Sequence, residues 1–129
     1  MITIPKNIKE LIEKSLVAFA TCDKLMRPNV IVIGGVTVVS PNQLLLTDNQ
    51  MDKTKNNLLV NGQVSLAVWQ GEEAYQLKGN AQYITSGPWK KIVDKNPRNK
   101  LFDHKAAVLV TITEIWDLNN VKLILKDNY

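Results

Sequence analysis

The chain holds one cysteine and one histidine in 129 residues, and only 6% of it is aromatic. A lone Cys22 excludes an intrachain disulfide and fits a reducing compartment. One His and one Cys cannot assemble a usual zinc ligand set, so no structural or catalytic metal is expected. Long hydrophobic runs are missing as well: no stretch approaches the roughly 18 apolar residues that a membrane span needs. The N-terminus lacks a charged segment followed by an apolar one, as a secretion signal would have. Nor is there a block of like charge, since 16 basic and 12 acidic residues are dispersed to a net charge of +4. That balance suits an anionic small ligand as well as nucleic acid. With no internal repeat or low-complexity linker, the expectation is a single domain over residues 1–129, in a soluble, cytoplasmic protein.

What is present is β-branched and tightly punctuated. Pro5 opens an amphipathic helix with Ile8, Leu11, Ile12 and Ser15 or Leu16 at helical spacing. Leu16–Thr21 reads as an apolar strand, Cys22–Arg27 as a polar turn, and Pro28 as the start of a second strand through Ile33. Gly34–Gly35 marks a bulge or a close approach to the backbone before Val36–Ser40. Pro41–Asn42 turns the chain into the strand Gln43–Thr47. After a short helix, Asn61–Gly62 turns into Val64–Trp69. The clearest alternation follows, with Tyr75, Leu77, Gly79, Ala81 and Tyr83 on one side and Gln76, Lys78, Asn80 and Gln82 on the other. Ser86, Gly87 and Pro88 start a third helix with Trp89, Ile92 and Val93 inward, which Asn96–Pro97 stops. A polar stretch over Arg98–Lys105 leads to the strand Ala106–Trp116, and a turn at Asn119–Asn120 returns Val121–Leu125. Six or more modest strands with a few short helices describe a mostly β, antiparallel barrel rather than a doubly wound sheet.

One segment invites chemistry. Leu44–Leu46 runs through a polar turn into a short helix that begins around Asp52, Lys53 and Thr54, with Leu58 and Leu59 on its buried face. A helix N-terminus offers unpaired N–H groups and the positive end of a dipole, so a phosphate is well received there. Lys53 adds a charge and Thr54 a hydroxyl. The plainer alternative makes Asp52 an ordinary N-cap and Lys53 and Thr54 surface residues.

Four segments in order resemble the flavin-binding split-barrel family, which includes the pyridoxamine 5'-phosphate oxidases and the small FMN-binding proteins of anaerobic bacteria. They are Leu11–Thr21 followed by Arg27-Pro28-Asn29-Val30, then Lys53-Thr54-Lys55-Asn56-Asn57-Leu58, similar to that family's Lys-Thr-x-x-Asn-Leu segment. Tyr75–Ala81 is similar to its aromatic-x-x-x-Gly-x-Ala strand, and Ala106–Val110 to its closing strand. The resemblance implies an antiparallel split barrel of FMN-binding type, working as a homodimer with FMN at the interface. It implies that Lys53 and Thr54 hold the phosphate. The ring would rest on the backbone of Val32, Ile33 and Gly34 and of Thr47, Asp48 and Asn49, where bare backbone at Gly34 admits a flat ring. Two departures weigh against vitamin B6 oxidation. Ile31 stands where those oxidases carry an Arg, and their C-terminal substrate-binding segment has no counterpart in a chain that ends at Tyr129.

Among the remaining candidates, Trp116 is the tryptophan placed to reach a flavin of the facing subunit, whereas Trp89 reads as packing and Trp69 stays open. His104 admits a haem-ligand reading or that of a solvated loop residue beside Asp103 and Lys105. Cys22 is a small residue without a histidine near it in sequence, not a nucleophile. The leading reading is therefore an FMN flavoprotein that exchanges electrons with a small-molecule substrate or a redox partner, its chemistry run by the cofactor and not by an indispensable side-chain acid or base. Alternatives are a split barrel holding a deazaflavin or haem, and a small barrel for single-stranded nucleic acid. The last is opposed because Tyr75 and Tyr83 fall on the core side rather than among exposed basic residues.

Overall fold

The structure, a computed structural model, describes residues 1–95 and 104–127. The expected stop at Asn96–Pro97 and most of the polar stretch Arg98–Lys105 lie outside the described residues. Among the described residues, three short helices, α1 (Lys6–Lys14), α2 (Lys53–Val60) and α3 (Pro88–Lys95), accompany eight strands. The strands are β1 (Val17–Cys22), β2 (Pro28–Ile33), β3 (Thr37–Ser40), β4 (Gln43–Asp48), β5 (Gln63–Gln70), β6 (Glu73–Ile84), β7 (Ala106–Asp117) and β8 (Lys122–Lys126). All pairings are antiparallel, in the order β2-β1-β5-β6-β7-β4-β3, and β8 also pairs with β7. The fold is the antiparallel split barrel that the strand pattern and the resemblance predict. None of the helices among the described residues is long and apolar enough to cross a membrane.

The core follows from strand alternation. Val17 and Phe19 of β1, Val64, Leu66 and Val68 of β5, and Leu77 and Ala81 of β6 all face inward, as the period of two requires. Ile8, Leu11 and Ile12 bring α1 onto that core. Phe19 is completely buried, the largest side chain to be so among the described residues. The N-terminal residues Ile2 and Ile4, which precede the first predicted element, join the same cluster, and the Ile4 N–H donates to the carbonyl of Pro41 at 2.8 Å.

The strand β7 is longer than either partner on its far side can cover. Its first half, Ala106–Thr111, pairs with β4, and its second half, from Glu114, pairs with β8. Opposite, β6 runs alongside both halves, with a register shift after Lys78. Gly79 sits at that shift: a Cβ there would lie 2.0 Å from the Thr111 carbonyl oxygen, so only glycine fits.

Several expectations are corrected. Leu59 is 60% exposed, because a helix turns about 100° per residue and Leu58 already occupies the inward position. Ile92 is likewise outward on α3, where Val93 is the buried residue. Leu16 lies beyond the end of α1 and is exposed. Cys22 closes β1 instead of opening the turn. Val121 belongs to the turn, with φ of 50°, and β8 begins at Lys122.

Candidate functional site

The helix α2 is tied to the sheet by two amide–hydroxyl bonds. Asn29 Nδ2 on β2 donates to Thr54 Oγ1 at 3.1 Å, and Asn57 Nδ2 donates to Thr21 Oγ1 on β1 at 2.9 Å. Thr54 and Asn57 are one helical turn apart, and Thr21 and Asn29 are partners in the β1–β2 ladder, so the four residues form a closed frame. Both helix residues are buried. Thr54 is therefore no surface residue.

The turn before α2 is shaped from behind by Asp48. Its Oδ1 accepts the N–H of Met51 at 2.7 Å, its Oδ2 accepts the Tyr83 hydroxyl, and its main-chain carbonyl accepts the N–H of Lys105 at 2.9 Å. Asp52, an ordinary N-cap in the plainer alternative, makes no side-chain bond to the helix N–H groups. The first-turn donors of α2 are thus not satisfied by their own cap, which is the condition that favours an anion there.

These elements enclose a cavity of about 420 Å³. One wall is Asn29, Ile31, Val32, Ile33 and Gly34 from β2 and the residue after it; the other runs from Thr47 and Asn49 through the turn to Lys53 and Thr54. Strands β2 and β4 are separated in the sheet by β1, β5, β6 and β7, so the cavity lies where the curled sheet brings β2, at one end, near β4, the strand next to the other end. It is apolar along Ile31–Ile33 and polar at the α2 end, a division that suits a flat ring carrying a phosphate. A Cβ at Gly34 would meet only the flexible end of Leu16, at 3.3 Å, and Gly35 takes a φ of 69° to leave the strand.

Of the residues singled out in sequence, Val32, Ile33, Gly34, Thr47, Asn49, Lys53 and Thr54 line this one cavity. Asp48 does not: it is wholly buried behind the wall, its oxygens turned to Met51 and Tyr83. Trp116 does not line it either. It pairs with Gln76 and Leu123 at the far end of β7 from Ala106, the residue opposite Asp48. At about 3.3 Å per residue that is on the order of 30 Å away within one chain. His104 packs beside α3, 3.6 Å from Asp94 Oδ1 with its side chain 14% exposed, so it is neither a solvated residue nor part of the cavity. Asn29, Ile31, Gln50, Met51 and Asp52 are lining residues that the sequence reading did not assign to the ligand.

Comparison with known proteins agrees with this architecture. Residues 4–119 match the family model described as pyridoxamine 5'-phosphate oxidase. The chain belongs to that family. It is 34% identical over 137 residues to an uncharacterized protein of Methanocaldococcus jannaschii, covering 98% of this chain and 91% of the other. Among solved structures it is similar to HupZ of Group A Streptococcus, with a TM-score of 0.85 at 20% identity, covering 97% of this chain and 99% of that one. It is also similar to an FMN-binding protein of Syntrophomonas wolfei, with a TM-score of 0.70 at 19% identity over 83% of this chain and 80% of that one. At these identities the two structures show a shared fold.

Proposed function

We propose that the chain is an FMN-binding flavoprotein that acts as a homodimer and passes electrons to or from a small-molecule substrate or redox partner. The observation that carries this reading is the two-part cavity: β-strand backbone and aliphatic side chains at one end, and Lys53, buried Thr54 and the uncapped start of α2 at the other. The Syntrophomonas relative of the same fold is an FMN-binding protein, which supports the same assignment. A bound flavin supplies redox chemistry from its own ring. The work of this chain's residues is to hold the phosphate, offer backbone hydrogen-bond partners to the ring edge and exclude water. The dimer is supported by exposed apolar residues, Val30 and Val32 on the edge strand β2 and Leu59 and Val60 on α2.

Titration of riboflavin and FMN into the wild-type chain and Lys53→Ala tests the phosphate site. A charged hydrogen bond is worth about 1.5–3 kcal/mol, so the variant should lose about tenfold to a hundredfold in FMN affinity and little in riboflavin affinity. A variant that binds FMN as the wild type does would refute the role of Lys53. The visible spectrum of the purified protein separates flavin from deazaflavin and haem. Sedimentation at micromolar concentration with FMN should give twice the chain mass.

A further inference from the structure

The period of two leaves Pro28, Val30 and Val32 of β2 exposed and Asn29, Ile31 and Ile33 partly covered. All three covered residues line the cavity, and Asn29 is the one with a polar side chain. That side chain is committed to α2: its Nδ2 donates to Thr54 Oγ1 at 3.1 Å.

A threonine hydroxyl has one proton to donate and two lone pairs to offer. Asn29 occupies a lone pair, and Thr54 Oγ1 makes no other hydrogen bond among the described residues. Thr54 is only 1% exposed, so its proton is a buried donor without an acceptor, which is costly to leave unmet. Since Thr54 lines the cavity, the missing acceptor belongs to a ligand. An untethered threonine near a helix start has another course, which is to turn its hydroxyl back onto a carbonyl of the preceding turn. The bond to Asn29 holds Thr54 toward β2 instead, and the proton stays available to the cavity.

We propose that Asn29 is a specificity-determining residue of the cavity: acting through Thr54, it fixes that hydroxyl as a donor, so that the polar end takes acceptor-only oxygens such as those of an ionised phosphate ester. Lys53 and the uncapped N–H groups of α2 are donors as well, so the end is built with one polarity. The acid lining the cavity, Asp52, is exposed, where water and salt screen its charge. This rests on the phosphate reading given above and adds the residue that sets the polarity of that end.

The test is a fluorescence titration of the full chain with riboflavin and FMN, together with the 31P spectrum of bound FMN. The variants are Asn29→Leu, which removes the donor but keeps the bulk, Asn29→Asp, Thr54→Val and the double variant Asn29→Leu/Thr54→Val. Asn29→Leu should lower the preference for FMN over riboflavin by about three- to tenfold, with riboflavin affinity within about twofold, and should shift the 31P resonance. Asn29→Asp can only accept, so it should draw the Thr54 proton to itself and lower the preference further. The double variant should lose no more than Thr54→Val alone, because the bond that Asn29→Leu breaks is already gone. Thr21→Val is the control: it removes the acceptor of the companion bond from Asn57, away from the cavity lining, and should lower stability while sparing the preference. An unchanged preference in Asn29→Leu and Asn29→Asp would overturn the proposal. So would fully additive losses in the double variant, or an equal fall in preference in Thr21→Val. If the wild type binds FMN no better than riboflavin, the phosphate reading itself falls; if it prefers FMN and the Asn29 variants do too, only the role of Asn29 is lost.

Discussion

The Tyr83 hydroxyl on β6 donates to the buried carboxylate of Asp48 on β4, reaching across β7, the strand between them. Asp48 in turn holds the N–H of Met51, so the bond braces the turn that forms one wall of the cavity. Lys55 lies 5.8 Å from the centre of the Tyr83 ring, adding a contact from α2.

Tyr83→Phe should therefore destabilise the protein by about 1.5–3 kcal/mol, because it leaves a buried carboxylate oxygen short of a donor. Urea unfolding at neutral pH measures this. Burial, and then the Asp48 carboxylate, push the Tyr83 phenol above its ordinary value of 10.0. The sign follows from linkage: with the folded-state value raised, the contribution is complete below pH of about 10 and is lost as pH rises above it, since only the unfolded chain ionises there. The wild type should lose stability over that alkaline range, and Tyr83→Phe should lose less.

Asp48→Asn should leave turnover per bound flavin within about tenfold of wild type, since the carboxylate faces away from the cavity. Asp52 does line the cavity, and Asp52→Asn is expected to behave in the same way. The measurement is reduction by dithionite or a nicotinamide donor followed by reoxidation. A thousandfold fall with flavin fully bound, equal to about 4 kcal/mol of transition-state stabilisation, would show that a side chain moves a proton.

Thr54→Val removes the acceptor for Asn29 as well as the hydroxyl at the start of α2. FMN affinity should fall about tenfold, while riboflavin affinity stays within about twofold. Equal losses for the two ligands would mean that Thr54 only shapes the frame.

Gly79→Ala should cost about 3 kcal/mol or more, or prevent folding, because the added carbon falls 2.0 Å from the Thr111 oxygen of the neighbouring strand. Gly71→Ala is the control. Gly71 has a φ of 59° in the two-residue turn between β5 and β6 but open space around it, so it should cost only about 1 kcal/mol. Thermal or urea unfolding of the pair distinguishes backbone clash from backbone strain.

The strands were legible because their apolar residues alternate: Val64, Leu66 and Val68, or Leu77, Gly79 and Ala81, declare an inward face without help from elsewhere. The cavity was legible in part. Lys53, Thr54 and Gly34 stood out by residue type and by resemblance. Asp48 does not line the cavity because adjacent strand residues point to opposite faces, and sequence adjacency to Thr47 and Asn49 does not reveal which side chains meet it. The Asn29–Thr54 and Thr21–Asn57 bonds join residues far apart in the chain, so no local pattern announces them. The exposure of Leu59 and Ile92 shows the limit of helical periodicity in elements of eight residues, where one further step around the axis separates core from solvent.

The placement of the cavity between β2 and β4 also bears on how it opens. No main-chain ladder joins those strands, so a change in sheet curvature can widen the cleft without breaking a single strand-to-strand hydrogen bond. Local opening is thereby uncoupled from global unfolding. In hydrogen exchange, amides of β5, β6 and the paired parts of β7 should share the slowest, global rate. Those of α2, moored to β1 and β2 by two side-chain bonds, should exchange faster and slow down when the cleft is filled.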